Sequence, residues 1–298
     1  MTKPLKLGMI GESAGNGHPY SWSAIFNGYD AALMADCPYP VIPAYLAEQE
    51  FPACAIQDAA VTHIWTQDRR QSERIAAATR IPHVLTNPED MVGAVDAVLL
   101  ARDDAETHYA LSKPFLEAGL PVYIDKPIAY DVGTLKKIRG LARNEGQIFT
   151  CSALRFAREL MLDETTRARL GPIRRVAAQT PKDWRKYAIH LIEPVLQMLA
   201  QDAIEDHHRE CAGDTQTLEV AWRSGVVTRF TTLGAITAPM TFHITGERAE
   251  TVLTFTDTFS AFRSALQAFT DTITGRRTAD DAALVTQSIE LLELGCDD

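Results

Sequence analysis

The stretch Pro121-Val122-Tyr123-Ile124-Asp125-Lys126-Pro127 decides how the chain is read. Its apolar run, closed by the polar pair and a proline, has the length and composition of a strand buried in a parallel sheet. Lys126 then stands at the carboxyl end of that strand, where open α/β sheets bind their ligands.

Working outward from it, residues 104–118 have a helical pattern with Pro114 expected to kink it, and Gly119 is a natural left-handed cap. Residues 97–101, Ala-Val-Leu-Leu-Ala, read as another buried strand. Before them, Asn87-Pro88-Glu89-Asp90 looks like an N-cap, a first-turn proline and an acidic first turn. Residues 72–79 read as a helix, 61–65 as a strand and 5–10 as the first strand. Trp22, Ile25, Phe26, Tyr29 and Leu33, at spacings of three and four, predict one amphipathic helix. Prolines at 38, 40, 43 and 52 interrupt residues 37–58, which carry no periodicity and read as an insertion. Downstream of the lysine, Asp131 is a candidate N-cap for one more helix, and 147–153 reads as the last strand of the sheet. Strands alternating with helices predict βαβ units and a parallel α/β sheet, a Rossmann domain over residues 1–127.

The pattern then changes to α+β over residues 128–298. Helical segments near 157–170 and 188–200 bracket a strand at 173–179. Alternating strands follow at 218–223 and 226–232 around a Ser224-Gly225 turn, and Met240, Phe242 and Ile244 recur at period two. These predict an open, mostly antiparallel sheet. Two helices close the chain, the first marked by Phe259, Phe262, Leu266, Phe269 and Ile273.

Composition narrows the function. A chain of 298 residues, 46% hydrophobic, can bury a sizeable core in about two domains. Its 29 basic and 39 acidic residues give a net charge of −10, which argues against a nucleic-acid or anionic-membrane partner. No apolar run approaches the ~20 residues of a membrane span. Met1-Thr2-Lys3-Pro4-Leu5 leads straight into a strand without the hydrophobic stretch of a signal peptide, so a cytoplasmic location is expected. The cysteines at 37, 54, 151, 211 and 296 have no metal-ligand spacing and read as reduced thiols. In Asp206-His207-His208-Arg209-Glu210, adjacent histidines on a strand would point to opposite faces, so no metal site is expected.

Several segments together resemble the Gfo/Idh/MocA group of glucose-fructose oxidoreductases, inositol dehydrogenases and rhizopine-catabolism proteins. They are Ala97-Val98-Leu99-Leu100-Ala101 with His108, Glu117-Ala118-Gly119-Leu120-Pro121-Val122 leading into Asp125-Lys126-Pro127, then Arg155-Phe156, Gly171-Pro172-Ile173 and the segment around His190. The resemblance implies a Rossmann domain for NAD or NADP and a C-terminal sheet that joins subunits into a dimer or tetramer. It implies a sugar, polyol or related small molecule as substrate. It also implies that Lys126 and His190 are catalytic, that Asp125, where the family more often has glutamate, contacts the cofactor, and that Arg155 and Lys186 meet the substrate. Many members place an aspartate where this chain has Lys186. That change points to a different substrate, such as an acidic sugar, or to loss of the usual oxidation.

The chemistry agrees with these roles. Oxidising a secondary alcohol requires a base for the hydroxyl proton and a donor for the oxygen. A lysine ammonium at a strand end can hydrogen-bond that oxygen as it gains negative character, and a histidine with a near-neutral pKa can take the proton. The nucleotide loop, Gly11-Glu12-Ser13-Ala14-Gly15-Asn16-Gly17-His18, departs from GxGxxG. Only Gly11 is in register; Ser13 and Asn16 take the other two glycine positions, and Gly15 is displaced. Glu12 would add an unwelcome charge near a pyrophosphate. Thr66 falls where NAD enzymes carry an acidic ribose contact, and the nearby Arg69 and Arg70 could meet a 2′-phosphate, which favours NADP unless they simply begin a solvated helix. Arg102-Asp103-Asp104 departs from the usual turn after the fourth strand. His18 opens the segment Gly17-His18-Pro19-Tyr20-Ser21-Trp22-Ser23, whose side chains could reach substrate. Two function classes therefore stand: an NAD(P)-dependent oxidoreductase, and a catalytically silent ligand- or nucleotide-binding sensor on the same fold. A lyase-type sugar enzyme that uses its cofactor transiently is a third reading.

Overall fold

In a computed structural model of the full chain, residues 3–199, 202–279 and 282–296 are described. They form two units, each built on its own six-stranded sheet.

The first unit comprises Met1–Ala129, Gly133–Thr150 and Phe262–Asp280. Its strands are β1 (Leu5–Ile10), β2 (Ala59–Trp65), β3 (His83–Val84), β4 (Ala97–Leu100), β5 (Val122–Ile124) and β6 (Ile148–Phe149). All are parallel and run in the order β3-β2-β1-β4-β5-β6, so the chain reverses direction across the sheet between β1 and β4. Crossover helices cover both faces, which is why β4 and β5 are buried at every residue and read as unbroken apolar runs. Met9 pairs with Leu99, Leu99 with Tyr123 and Tyr123 with Phe149, giving one apolar row across the centre.

Three local details differ from the sequence pattern. The helix after β1, His18–Asn27, stops at Gly28, whose φ of 69° only glycine adopts without strain; Tyr29 therefore leaves it, and Leu33 falls in a separate turn of helix, Ala31–Met34, capped by Asp30. Residues 37–58 contain a helix of their own, Val41–Ala47, and are anchored by a Tyr45–Ser21 hydroxyl bond, by the Ile56 amide on the Ile25 carbonyl at 3.0 Å and by Arg263 Nε on the Cys54 carbonyl at 2.6 Å. Asn87 makes no side-chain cap on the 3-10 turn Pro88–Met91. The helix His108–Glu117 contains Pro114 and ends at Gly119 with φ 86°.

Where the sequence suggests one boundary at 127/128, the structure returns 133–150 and 262–280 to the first unit. The reason is aromatic packing. Phe269, on the helix Thr258–Ile273, lies 5.5 Å from Tyr123 and 5.6 Å from Phe149, so a late segment completes the core begun by β5 and β6.

The second unit comprises Tyr130–Val132, Cys151–Ala261 and Asp281–Asp298. Its sheet holds β7 (Ile173–Thr180), β8 (Ile204–Ala212), β9 (Thr215–Trp222), β10 (Val227–Thr232), β11 (Thr241–Gly246) and β12 (Glu250–Thr254) in the order β12-β11-β7-β10-β9-β8. Only the β7/β10 pair is parallel. Val176, Leu218, Val220, Phe230, Phe242 and Ile244 face inward, and Arg175, Glu219 and Arg229 alternate with them outward. Helices Ile189–Met198 and Ala282–Gly295 belong to this unit, and Trp184 Nε1 donates to the Leu292 carbonyl at 2.9 Å. Among the described residues no helix is long and apolar enough to cross a membrane.

Candidate active site

In the first unit the carboxyl ends of β1, β4 and β5 bring together residues far apart in sequence. Leaving β1, the chain forms the loop 11–17; leaving β4, it forms the turn at Asp103; leaving β5, it reaches Asp125 and Lys126. Ser13 Oγ donates to Asp103 Oδ1 at 2.6 Å and accepts the Asp103 amide at 3.2 Å. Asp125 is only 1% exposed, and each of its oxygens is used. Oδ2 accepts Asn16 Nδ2 at 3.0 Å and meets His18 Nδ1 at 2.6 Å, and Oδ1 accepts the Lys126 amide at 2.8 Å. The His18 ring stacks on Trp22, with centroids 4.9 Å apart and planes 12° from parallel, and meets the edge of Phe262 at 4.9 Å. Lys126 itself is buried, 5% exposed. Ser13, Asn16, His18, Asp125 and Lys126 thus share one strand-end cluster, and Trp22 is core.

The glycine loop does not serve a pyrophosphate in the usual way. A Rossmann helix offers a phosphate its first backbone amides. Here the His18 amide donates to Asn16 Oδ1 at 2.8 Å, Pro19 has no N–H, and the Tyr20 amide returns to the Gly17 carbonyl at 3.0 Å. Earlier in the loop, the Gly11, Glu12 and Asn16 amides donate to the Trp65 carbonyl, Gln67 Oε1 and the Ser13 carbonyl. Two glycines make room for the chain itself: a Cβ on Gly11 would overlap Pro19, and one on Gly17 would overlap Tyr39 and Ile42 of the insertion. Glu12 adds a carboxyl that burial pushes above its ordinary value, an effect opposed by Gln71 Nε2 at 3.2 Å and by the Arg102 charge. The exception is the exposed turn Ala14-Gly15, where Gly15 has φ 80° and nothing lies within 4 Å of a would-be Cβ. The residues present therefore fit a phosphate at this turn, through the backbone of 13–15, and not at the helix N-terminus.

The residues expected at the adenosine end are engaged locally. The Thr66 amide donates to Ser72 Oγ at 2.8 Å and its hydroxyl to the Asp68 carbonyl at 2.6 Å, closing the end of β2 onto the next helix. Arg69 is held by Glu73 at 2.9 Å and by Thr86 at 3.2 Å. Arg70 lines an open cleft of about 660 Å³ with Tyr20, Asp36, Glu73 and Arg74, so carboxylates accompany both arginines there. Arg102 pairs with Asp104 at 2.5 Å and donates to Gln67.

The other expected residues belong to the second unit. His190 lies on Ile189–Met198, with Nδ1 2.8 Å from Ser152 Oγ, and the Ser152 amide donates to Glu193 Oε2 at 2.7 Å. Arg155 Nε stands 3.8 Å from that same Glu193 oxygen, and the Tyr187 ring is 5.3 Å from His190. Lys186 sits on the preceding short helix, Trp184–Tyr187, capped by Asp183. Sequence reasoning passed over Ser152 as an orienting partner of His190 and Asp103 as a partner of Ser13. Both bonds join segments with no common periodicity.

Residues 42–152 match the family model described as the oxidoreductase family GFO_IDH_MocA with an NAD-binding Rossmann fold. A sequence search of curated proteins finds no match. Among solved structures, GenD2 from gentamicin A biosynthesis, in complex with NAD, superposes with a TM-score of 0.72 at 15% identity, covering 98% of this chain and 93% of that one. The apo scyllo-inositol dehydrogenase of Lactobacillus casei gives 0.71 at 14%, covering 98% and 95%. Biliverdin reductase of Synechocystis sp. PCC 6803, with biliverdin and NADP+, gives 0.71 at 13%, covering 98% of each chain. The fold is that of NAD(P)-binding oxidoreductases. The resemblance to the Gfo/Idh/MocA family read from the sequence is borne out by the family match.

Proposed function

We propose that the protein is an oxidoreductase that uses a nicotinamide cofactor and acts on a hydroxyl of a sugar, polyol or related small molecule. The observation that carries this reading is Lys126, buried at the carboxyl end of β5 in a sheet that switches direction between β1 and β4. The NAD and NADP+ complexes and the inositol dehydrogenase among the similar folds support it. In this reading the Lys126 ammonium donates to the substrate oxygen as that oxygen gains negative character, and a histidine takes the hydroxyl proton. The nicotinamide, when bound, supplies the hydride chemistry, with the backbone of Ser13, Ala14 and Gly15 against its phosphates.

Turnover of a sugar and polyol panel with NAD+ and NADP+ tests the proposal. Lys126→Ala should lower kcat on an identified substrate by about 10²- to 10⁴-fold, and activity within a few-fold of wild type would sink it. The engaged loop amides and the Glu12 charge favour a second reading, a binding protein without turnover. Fluorescence titration with NADH and NADPH separates the two, because absence of binding to both removes the hydride acceptor and leaves the silent binder.

A further inference from the structure

We propose that His18, oriented by Asp125, is a proton-transferring residue of this site, with its Nε2 as the acceptor nitrogen. The inference rests on the oxidoreductase reading for its reaction but on the geometry of the first unit for its chemistry.

The Asp125 carboxylate is fixed by three donors, Asn16 Nδ2, His18 Nδ1 and the Lys126 amide. Asp125 can turn away from none of them without breaking a bond in a buried site. The imidazole is fixed equally well, face-on against Trp22 and edge-on against Phe262. A ring that gives its Nδ1 proton to a carboxylate carries a bare lone pair on Nε2, and the carboxylate stabilises the imidazolium formed when that nitrogen takes a proton. No described residue hydrogen-bonds Nε2, and the His18 side chain retains 16% of its exposure. A histidine placed only to fill space would have no need of a buried carboxylate at 2.6 Å. Its partner Asp125 is also the residue before Lys126, so acceptor and polarising ammonium are set by one strand end. In the step, the substrate O–H bond breaks and an Nε2–H bond forms. The electron pair stays on the substrate oxygen, where the Lys126 ammonium stabilises it, and the Nδ1 proton remains shared with Asp125.

Nuclear magnetic resonance of the ¹⁵N-labelled full chain at pH 8 tests the geometry without any substrate. The His18 signals, identified by their loss in His18→Gln, should show a protonated Nδ1 and a bare Nε2; Asp125→Asn should abolish that fixed tautomer. A protonated Nε2 in wild type overturns the proposal. Diethyl pyrocarbonate followed by peptide mass spectrometry gives a second readout: His18 should react at least as fast as the exposed His83 and His207, and a resistant His18 overturns it. In turnover, His18→Gln should lower kcat about 100-fold or more while leaving KM for the nucleotide within threefold. A kcat within threefold of wild type overturns the assignment. Should wild type turn over none of the panel, the oxidoreductase reading falls, and the tautomer and reactivity results still decide whether His18 is a poised acceptor.

Discussion

Glu12 places a carboxyl on the loop where a Rossmann protein would receive a diphosphate. Burial raises its pKa above the ordinary 4.5, so the folded state binds this proton more tightly than the unfolded chain does. The stability this group contributes is therefore complete below about pH 4.5 and is lost as pH rises through the raised value. Glu12→Gln should make the protein more stable than wild type at pH 7, with the difference vanishing in acid; urea unfolding at pH 4 and pH 7 measures it. The same variant should bind NADH and NADPH more tightly, because a negative charge leaves the phosphate approach. At this scale the sequence exposes single residues and hides their partners. Lys126 and Asp125 were legible because a strand end marks them. The Ser13–Asp103 bond spans 90 residues and the Asn16–Asp125 bond 109, so no local pattern signals either.

Elements were legible where periodicity reports burial. The buried β4 and β5 stood out as apolar runs, and β9, β10 and β11 as alternating ones. By contrast, β8 is exposed at all but its first residue and β12 has no fully buried residue, so neither shows an inward face to read. The insertion was opaque for another reason: its prolines erase periodicity, and its anchors are single long-range bonds. Gly17 is the key to its seating. Gly17→Ala should destabilise the protein by about 1–3 kcal/mol by pushing against Tyr39 and Ile42. Tyr39→Ala in the same chain should recover part of that loss, and a double-mutant cycle in chemical unfolding gives the coupling. Additive effects would show that the insertion does not press on the loop.

At the scale of the molecule, the alternation of elements revealed a Rossmann half and an α+β half, but not that the chain comes back. The return of residues 262–280 to the first unit depends on Phe262 and Phe269, whose spacing looks like that of any amphipathic helix. Phe269→Ala should cost about 3–5 kcal/mol, since it empties a fully buried position between Tyr123 and Phe149. A fragment of residues 1–150 should lack a cooperative thermal transition, and adding a peptide of residues 258–280 should restore one. A sharp melt for the fragment alone would show that the sheet does not need that helix.

The helix Thr258–Ile273 also sets a timetable. A ribosome releases the β1 to β6 segments long before it releases residues 262–273, so the aromatic face around Tyr123 waits open while the second unit is still being made. During synthesis the nascent chain carries a finished sheet order with an unfinished surface, and the Trp22–Phe262 contact that steadies His18 forms only after the strands of the second sheet have been made.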